Sequence, residues 1–288
     1  MAAGRHSVGR RSRRFAGLIL VCVVALAGPA LGAFPKDAPD DPAYGPAEQG
    51  GPDTCGQESV NNEQHYLYGF MPMCAPNAQD PEDASGMSLG VDPSGQGRSA
   101  WKQFSAGSPK TVIAYVEGGI NWQNQPAELA DKVFLNRGEL PRPTTPKKGG
   151  GLNARDYSDT KDSNGNDIVD PEDILVRFSD GVDDDHNGYT DDISGWDFYD
   201  DQNDPATVDS TYGHANGQMR QAGSQTNNGI GEAGVCPRCM IMPVKAGAEA
   251  LDRTDDLAQA WLFAADSGAS VIVSVTADLG YSSFMRQA

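Results

Sequence analysis

At 288 residues the chain is long enough for one large domain or two small ones, which excludes a peptide, a collagen-like chain and a long coiled coil. With 38% hydrophobic residues it can fill a core, and 34 glycines with 19 prolines point to many turns and long loops. Twenty-two basic residues against 40 acidic ones give a formal charge of -18, a surface that repels phosphate backbones and anionic lipid, so nucleic acid and membrane surfaces are poor partners.

Residues 1–33 have the layout of an export signal. Arg5, Arg10, Arg11, Arg13 and Arg14 form a basic start, Phe15 to Ala27 is apolar, and Ala30-Leu31-Gly32-Ala33 is a small-residue exit. The apolar run is shorter than the ~20 residues a spanning helix needs, and no later stretch reaches that length, so a secreted, extracellular protein without a membrane anchor is expected. Arg13-Arg14 leaves the twin-arginine and general export routes both open. Residues 34–98, rich in Pro, Gly, Asp and Asn around one aromatic patch at His65 to Phe70, form a loop-rich extension or propeptide-like segment.

From Thr111 the texture changes. Val112-Ile113-Ala114-Tyr115-Val116 has the length and β-branched content of a strand buried on both faces, ended by Glu117-Gly118-Gly119. Residues 141–210 are a polar insertion broken by two short apolar elements, Ile174 to Val176 and Trp196 to Tyr199. Met240 to Val244 follows as a strand, then Leu257, Ala260, Trp261 and Ala264 at helical spacing, with Gly268 as the stop. Val271-Ile272-Val273 is another strand of buried type. Strand, helix, strand in this order is the pattern of a parallel sheet in an α/β fold.

Export places the cysteines in an oxidising compartment. Cys22 leaves with the signal, and the remaining Cys55, Cys74, Cys236 and Cys239 allow three pairings. Proximity favours Cys55 with Cys74 and Cys236 with Cys239, the alternative being that the close pair stays as thiols. The spacing lacks a zinc knuckle, and Cys236-Pro237-Arg238-Cys239 leads into a strand rather than opening a helix, which argues against a thioredoxin-type site.

The acidic insertion, at about 155–195, has internal spacing. Asp183, Asp185 and Asn187 alternate, Gly188 follows directly, and Asp191 and Asp192 come after a two-residue gap, as in the first nine positions of a calcium loop. Alternation puts hard oxygens on one side of a tight turn. A second, less regular run has Asp162, Asn164, Asn166, Asp170 and Asp173 at positions one, three, five, nine and twelve, with Asp167 where glycine is expected. Crowded carboxylates repel one another without a cation, so structural Ca2+ is the expected cofactor.

The stretch from Gly181 to Phe198, through Asp183-Asp184-Asp185-His186-Asn187-Gly188, resembles the calcium-bearing segment before the catalytic histidine of secreted bacterial subtilisin-like serine proteases. Tyr212-Gly213-His214, then Asn227-Asn228-Gly229-Ile230-Gly231 through Gly234-Val235-Cys236-Pro237 to Pro243-Val244-Lys245, resemble the same family from its histidine helix to the next strand. The likeness covers about residue 100 onward and implies a three-layer α/β sandwich, a protein or peptide substrate, and Glu117 and His214 as acid and base. An acid at the C-terminal end of a buried parallel strand lies where α/β sheets place ligand sites. In the implied mechanism His214 takes the proton of a serine hydroxyl and returns it to the leaving amine, while the acid orients the ring. His65 and His186 lack such a context.

Three departures from the family pattern stand out. The family's strand-end aspartate is Glu117 here, one methylene longer. Its His-Gly-Thr continuation is replaced by His214-Ala215-Asn216-Gly217-Gln218-Met219-Arg220. Its Gly-Thr-Ser-Met-Ala-type nucleophile motif and oxyanion asparagine have no counterpart, and Ser282 and Ser283 lie in a substrate-strand context instead. The expectation is therefore a peptidase domain that is incomplete at its C-terminus. The alternative is a non-catalytic relative acting as a secreted, calcium-dependent binding module. A repetitive calcium-loop protein is disfavoured, because two runs do not make a periodic array.

Overall fold

The computed structural model describes residues 34–44, 64, 67, 88–91, 98–124, 126–146, 150–157, 159–275 and 282–288. The expected signal segment, most of the aromatic patch and the Cys55–Cys74 pair lie outside the described residues.

Four strands form one parallel sheet in the order β2-β3-β1-β4: β1 (Val112–Glu117), β2 (Trp196–Asp197), β3 (Met240–Lys245) and β4 (Val271–Ser274). Strand alternation divides the side chains between two cores. Val112, Ala114 and Val116 of β1 and Met240, Met242 and Val244 of β3 face one core, which helix α5 closes with Leu257, Ala260, Phe263 and Ala264. Tyr115 and Ile241 face the opposite core, closed by Ala215 and Met219 of α4 and by Ile174 and Leu175 of α3. Helices thus cover both faces of a parallel sheet, the α/β arrangement read from the strand and helix patterns. Burying a side chain such as Leu257 or Ile241 contributes about 1.5 to 3 kcal/mol each.

The helices have local reasons to start and stop. Helix α1 (Ala100–Gln103) is capped by the Ser99 hydroxyl, and α2 (Pro126–Leu129) opens on proline. Helix α3 (Pro171–Phe178) has Pro171 in its first turn and a capping box of Asp170 and Asp173. Helix α4 (His214–Gly223) follows Gly213, which gives no side-chain cap. Asp255 and Asp256 in the first turn of α5 (Thr254–Asp266) complement its dipole, and Gly268 takes φ +88° just past its end. A short α6 (Ser283–Gln287) completes the elements.

Strand β4 differs from expectation in burial. Val271 is 47% exposed and Ile272 37%, because β4 pairs only with β1 among the described residues and forms the edge of the sheet. The lead-in is partly packed. Tyr44 and Leu67 join Trp101, Ala106 and Ala233 in a small third core, and the Gln64 side chain makes a two-way pairing with the backbone of Ala233. The sulfur atoms of Cys236 and Cys239 lie at disulfide distance in the turn that feeds β3, which supports the bridged alternative for this pair.

Candidate functional site

Glu117 is the last residue of β1 and His214 the first of α4, so the sheet's C-terminal end and the helix start bring them together. His214 Nδ1 lies 2.7 Å from Glu117 Oε1, with the carboxylate side chain 5% exposed and the imidazole 55% exposed. Glu117 Oε2 accepts hydrogen bonds from the Gly118 amide at 2.6 Å and from the Tyr212 hydroxyl at 2.6 Å. Both carboxylate oxygens are therefore engaged, and the ring donates through Nδ1. His214 Nε2 lies 3.1 Å from Gln218 Nε2, one helical turn on. In the neutral tautomer that donates from Nδ1, Nε2 carries the lone pair and accepts from the Gln218 amide. A proton-bearing group arriving at Nε2 has to displace that amide.

The segments around the pair are tied down. Asn216, buried in α4, accepts from the Asn121 amide and donates to the Asn121 and Asn124 carbonyls, which locks the loop after β1 to the helix. Gly119 takes φ +96°, and a Cβ there would come within 2.7 Å of the Pro205 carbonyl, so only glycine lets the chain turn at this place. Beside Glu117 in the sheet register, Lys245 sends its Nζ to Asp197 at 2.7 Å and to Asp200 at 2.9 Å. Burial alone would lower the Lys245 pKa, but these two carboxylates outweigh it and raise it.

The two acidic loops share their backbone turn and differ in the acids they gather. In the first, Glu139, Asp183 and Asp185 each offer an oxygen, all within 4.8 Å of one another. Asp192 stands alongside, accepting from Asn136 at 2.7 Å and from Asn187 at 3.0 Å, and burial pushes its pKa up to about 7. Asn187 Oδ1 accepts from the Tyr189 amide. Asp191 turns the other way and accepts from the Asp180 and Gly181 amides. Hard oxygens at this spacing, with no basic side chain among them, fit the donor set of a calcium ion. Gly188 takes φ +96°, as the sequence pattern requires of the turn residue.

In the second loop, Asp162 accepts from the backbone amides of Gly165, Asn166 and Asp167. Asp170 and Asp173 cap α3, and the Asn164 and Asn166 amides donate to Asp170. Asp167 adopts φ +66°, the left-handed conformation of the position where glycine was expected. The first loop closes in the same way, the Asn187 and Gly188 amides donating to Asp183, so what sets it apart is the arrival of Glu139.

Two features escaped sequence reasoning. Glu139 is remote from the Asp183 run along the chain and carries no local motif. Glu128 in α2 is buried, and neither of its carboxylate oxygens meets hydrogen-bond geometry, although the Ser224 hydroxyl and Glu232 amide lie close by. Burial pushes its pKa up to about 7. The loop after α4 rests against it: a Cβ on Gly231 would lie 2.5 Å from Glu128 Oε1, and the side-chain oxygens of Ser224, Gln225 and Asn227 on the same loop are buried without partners. The glycines of Asn227-Asn228-Gly229-Ile230-Gly231 were the available signal.

Among the described residues, no helix is long and apolar enough to cross a membrane. No family model matches the chain. Over 85 residues, 28% of this chain, it is 40% identical to the thermophilic serine proteinase of Bacillus sp. (strain AK1), of which the match spans 20%. The chain therefore covers about a fifth of that relative's length, and over this stretch it is related to a serine proteinase.

Proposed function

We propose that this chain is part of an exported, calcium-stabilised, subtilisin-like serine endopeptidase, and that it carries the acid and base of the catalytic apparatus. The observation behind this reading is the 2.7 Å contact between His214 Nδ1 and the buried Glu117 carboxylate at the C-terminal end of a central parallel strand. A serine hydroxyl brought to His214 Nε2 would give up its proton there as its oxygen attacks a peptide carbonyl. The resulting imidazolium is stabilised by Glu117 and returns the proton to the leaving amine. For this step the Gln218 amide would have to leave Nε2. Protein or peptide is the substrate class. Structural calcium would be held by Glu139, Asp183 and Asp185, with Asn187 and Asp192 beside them, while Asp191 orders the neighbouring backbone.

A second reading is a non-catalytic calcium-dependent binding module, favoured by the Gln218 amide that sits on Nε2. The test is peptide hydrolysis and fluorophosphonate labelling of the native secreted product, alongside a His214→Ala variant. Labelling and hydrolysis that are both lost in the variant support the peptidase. A folded native product that neither labels nor hydrolyses peptides leaves the binding module.

A further inference from the structure

The longer acid arm at the end of β1 raises a geometric difficulty. A glutamate has one more rotatable bond than an aspartate, and a carboxylate free to turn cannot hold an imidazole in one orientation. Something has to fix Oε2 so that Oε1 stays on His214. The Gly118 amide contributes one hydrogen bond, but it sits on the adjacent residue and moves with the strand end. The second comes from Tyr212, two residues before His214 in the chain, whose hydroxyl reaches Oε2 at 2.6 Å.

Several details fit this contact as a built one. A phenol has one proton to give. The Glu249 carbonyl lies 3.3 Å away, so the shorter, charge-assisted bond to Glu117 takes the proton. Burial and the negative charge of Glu117 both raise the Tyr212 pKa well above its ordinary value, which keeps the hydroxyl protonated as a donor. The ring needs space against the strand end, and Gly118 gives it: a Cβ there would lie 2.9 Å from the Tyr212 ring. The Tyr212 backbone is fixed in turn, its amide donating to the Asp209 carbonyl at 2.9 Å and its carbonyl accepting from Asn121 Nδ2 at 3.4 Å.

We propose that Tyr212 is the positioning residue for the Glu117–His214 pair, its hydroxyl fixing the longer carboxylate so that the imidazole is held through Nδ1. This rests on the reading of Glu117 and His214 as acid and base. The residue acts through Glu117 and touches no reacting atom.

The test is proton NMR of the full chain, following the exchange-protected imidazole Nδ1–H resonance that a carboxylate-bound histidine gives, with His214→Ala assigning it. In Tyr212→Phe, which keeps the ring packing, the resonance should remain but exchange with solvent about tenfold faster or more, the range expected for loss of a hydrogen bond to a charged group. In Glu117→Gln it should move upfield, because the charged acceptor is gone. If the unaltered protein shows no resonance that His214→Ala removes, the acid–base pairing itself fails. If that resonance is present, and Tyr212→Phe leaves its exchange rate within twofold while melting as the parent does, the pairing stands and the role of Tyr212 is overturned.

Discussion

Removing calcium is the perturbation that tests the first acidic loop most directly. Glu139, Asp183 and Asp185 place one oxygen each within 4.8 Å of one another. At that separation two unit charges repel by about 1 kcal/mol even with water-like screening, so the three pairs cost about 3 kcal/mol once no cation lies between them. The linkage route gives a similar size, since a cation at a hundred times its dissociation constant stabilises a fold by about 2.7 kcal/mol. In a domain of this size each kcal/mol moves the midpoint by about 2 to 4 °C, so excess EGTA should lower Tm by about 6 to 12 °C relative to calcium. The assay is scanning calorimetry in both buffers, with Glu139→Gln as the diagnostic variant. In EGTA that change removes two repulsions of about 1 kcal/mol but also one of the N–H···O bonds that the Glu139 carboxylate takes from Asp185 and Asp191, worth about 1 kcal/mol, so Tm should move by only a few degrees. In calcium the variant should lose most of the gain. A parent protein with the same midpoint in both buffers would falsify the calcium assignment, and a variant equally destabilised in both would make Glu139 a structural residue only.

Two further outcomes follow from buried charge. Glu128 has a folded pKa of about 7 against 4.5 for the free side chain, so its contribution to stability is fully present below pH 4.5 and is lost as pH rises through about 7. Glu128→Gln should therefore raise Tm in EGTA at pH 8, by about 1 to 2 kcal/mol of stability after allowing for screening, and change nothing at pH 4.5; a variant destabilised at pH 8 would mean that the carboxylate is compensated. Lys245→Met leaves Asp197, 0% exposed in its side chain, without a cation and with only the Tyr199 and Asp200 amides and the Gln202 side-chain amide as donors. Denaturant unfolding should show a loss of about 3 to 5 kcal/mol, and a loss under 1 kcal/mol would show that Asp197 takes up a proton or water at no cost.

The elements legible in the sequence were those whose patterns serve a single purpose. The apolar runs of β1 and β3 and the helical spacing from Leu257 to Ala264 are both consequences of burial on the sheet, and the structure keeps all three. Strand β4 has the same composition, but whether such a run is covered on both sides depends on the order of strands, which no local pattern contains. Helix α3 was hidden for a different reason. Asp170 and Asp173 are the residue type that ligates calcium and also the type that caps a helix, and their spacing suits both; Pro171 between them favours the cap. Glu117 and His214 were nominated through the family likeness around Tyr212-Gly213-His214, and the structure brings the two side chains together because one ends β1 and the other begins α4. Tyr212 and Glu139 act on partners far away in the chain, and nothing near them announces it.

The acidic loop and the acid–base pair are connected by one continuous stretch of chain. Just after Asp192, the Ile193 carbonyl accepts from the Asn136 amide, and Gly195 at φ +101° passes so close to the Pro243 carbonyl that no side chain fits. The chain then enters β2 against β3, and beyond Phe198 it returns to form paired hydrogen bonds between Ile120 and the segment from Pro205 to Thr207. Ile120 is three residues past Glu117, and the Asn121 side chain holds the Ser210 carbonyl as the chain approaches Tyr212 and His214. Hydrogen bonds thus connect the acidic loop to the loop after β1 on one side and, through the Asn121 side chain, to the approach of α4 on the other. A calcium ion at Glu139, Asp183 and Asp185 touches neither Glu117 nor His214, yet it would fix the segment that carries the histidine to its acid. Under the proposed function the pair would gain from that support, because α4 begins on a glycine that supplies no side-chain cap of its own.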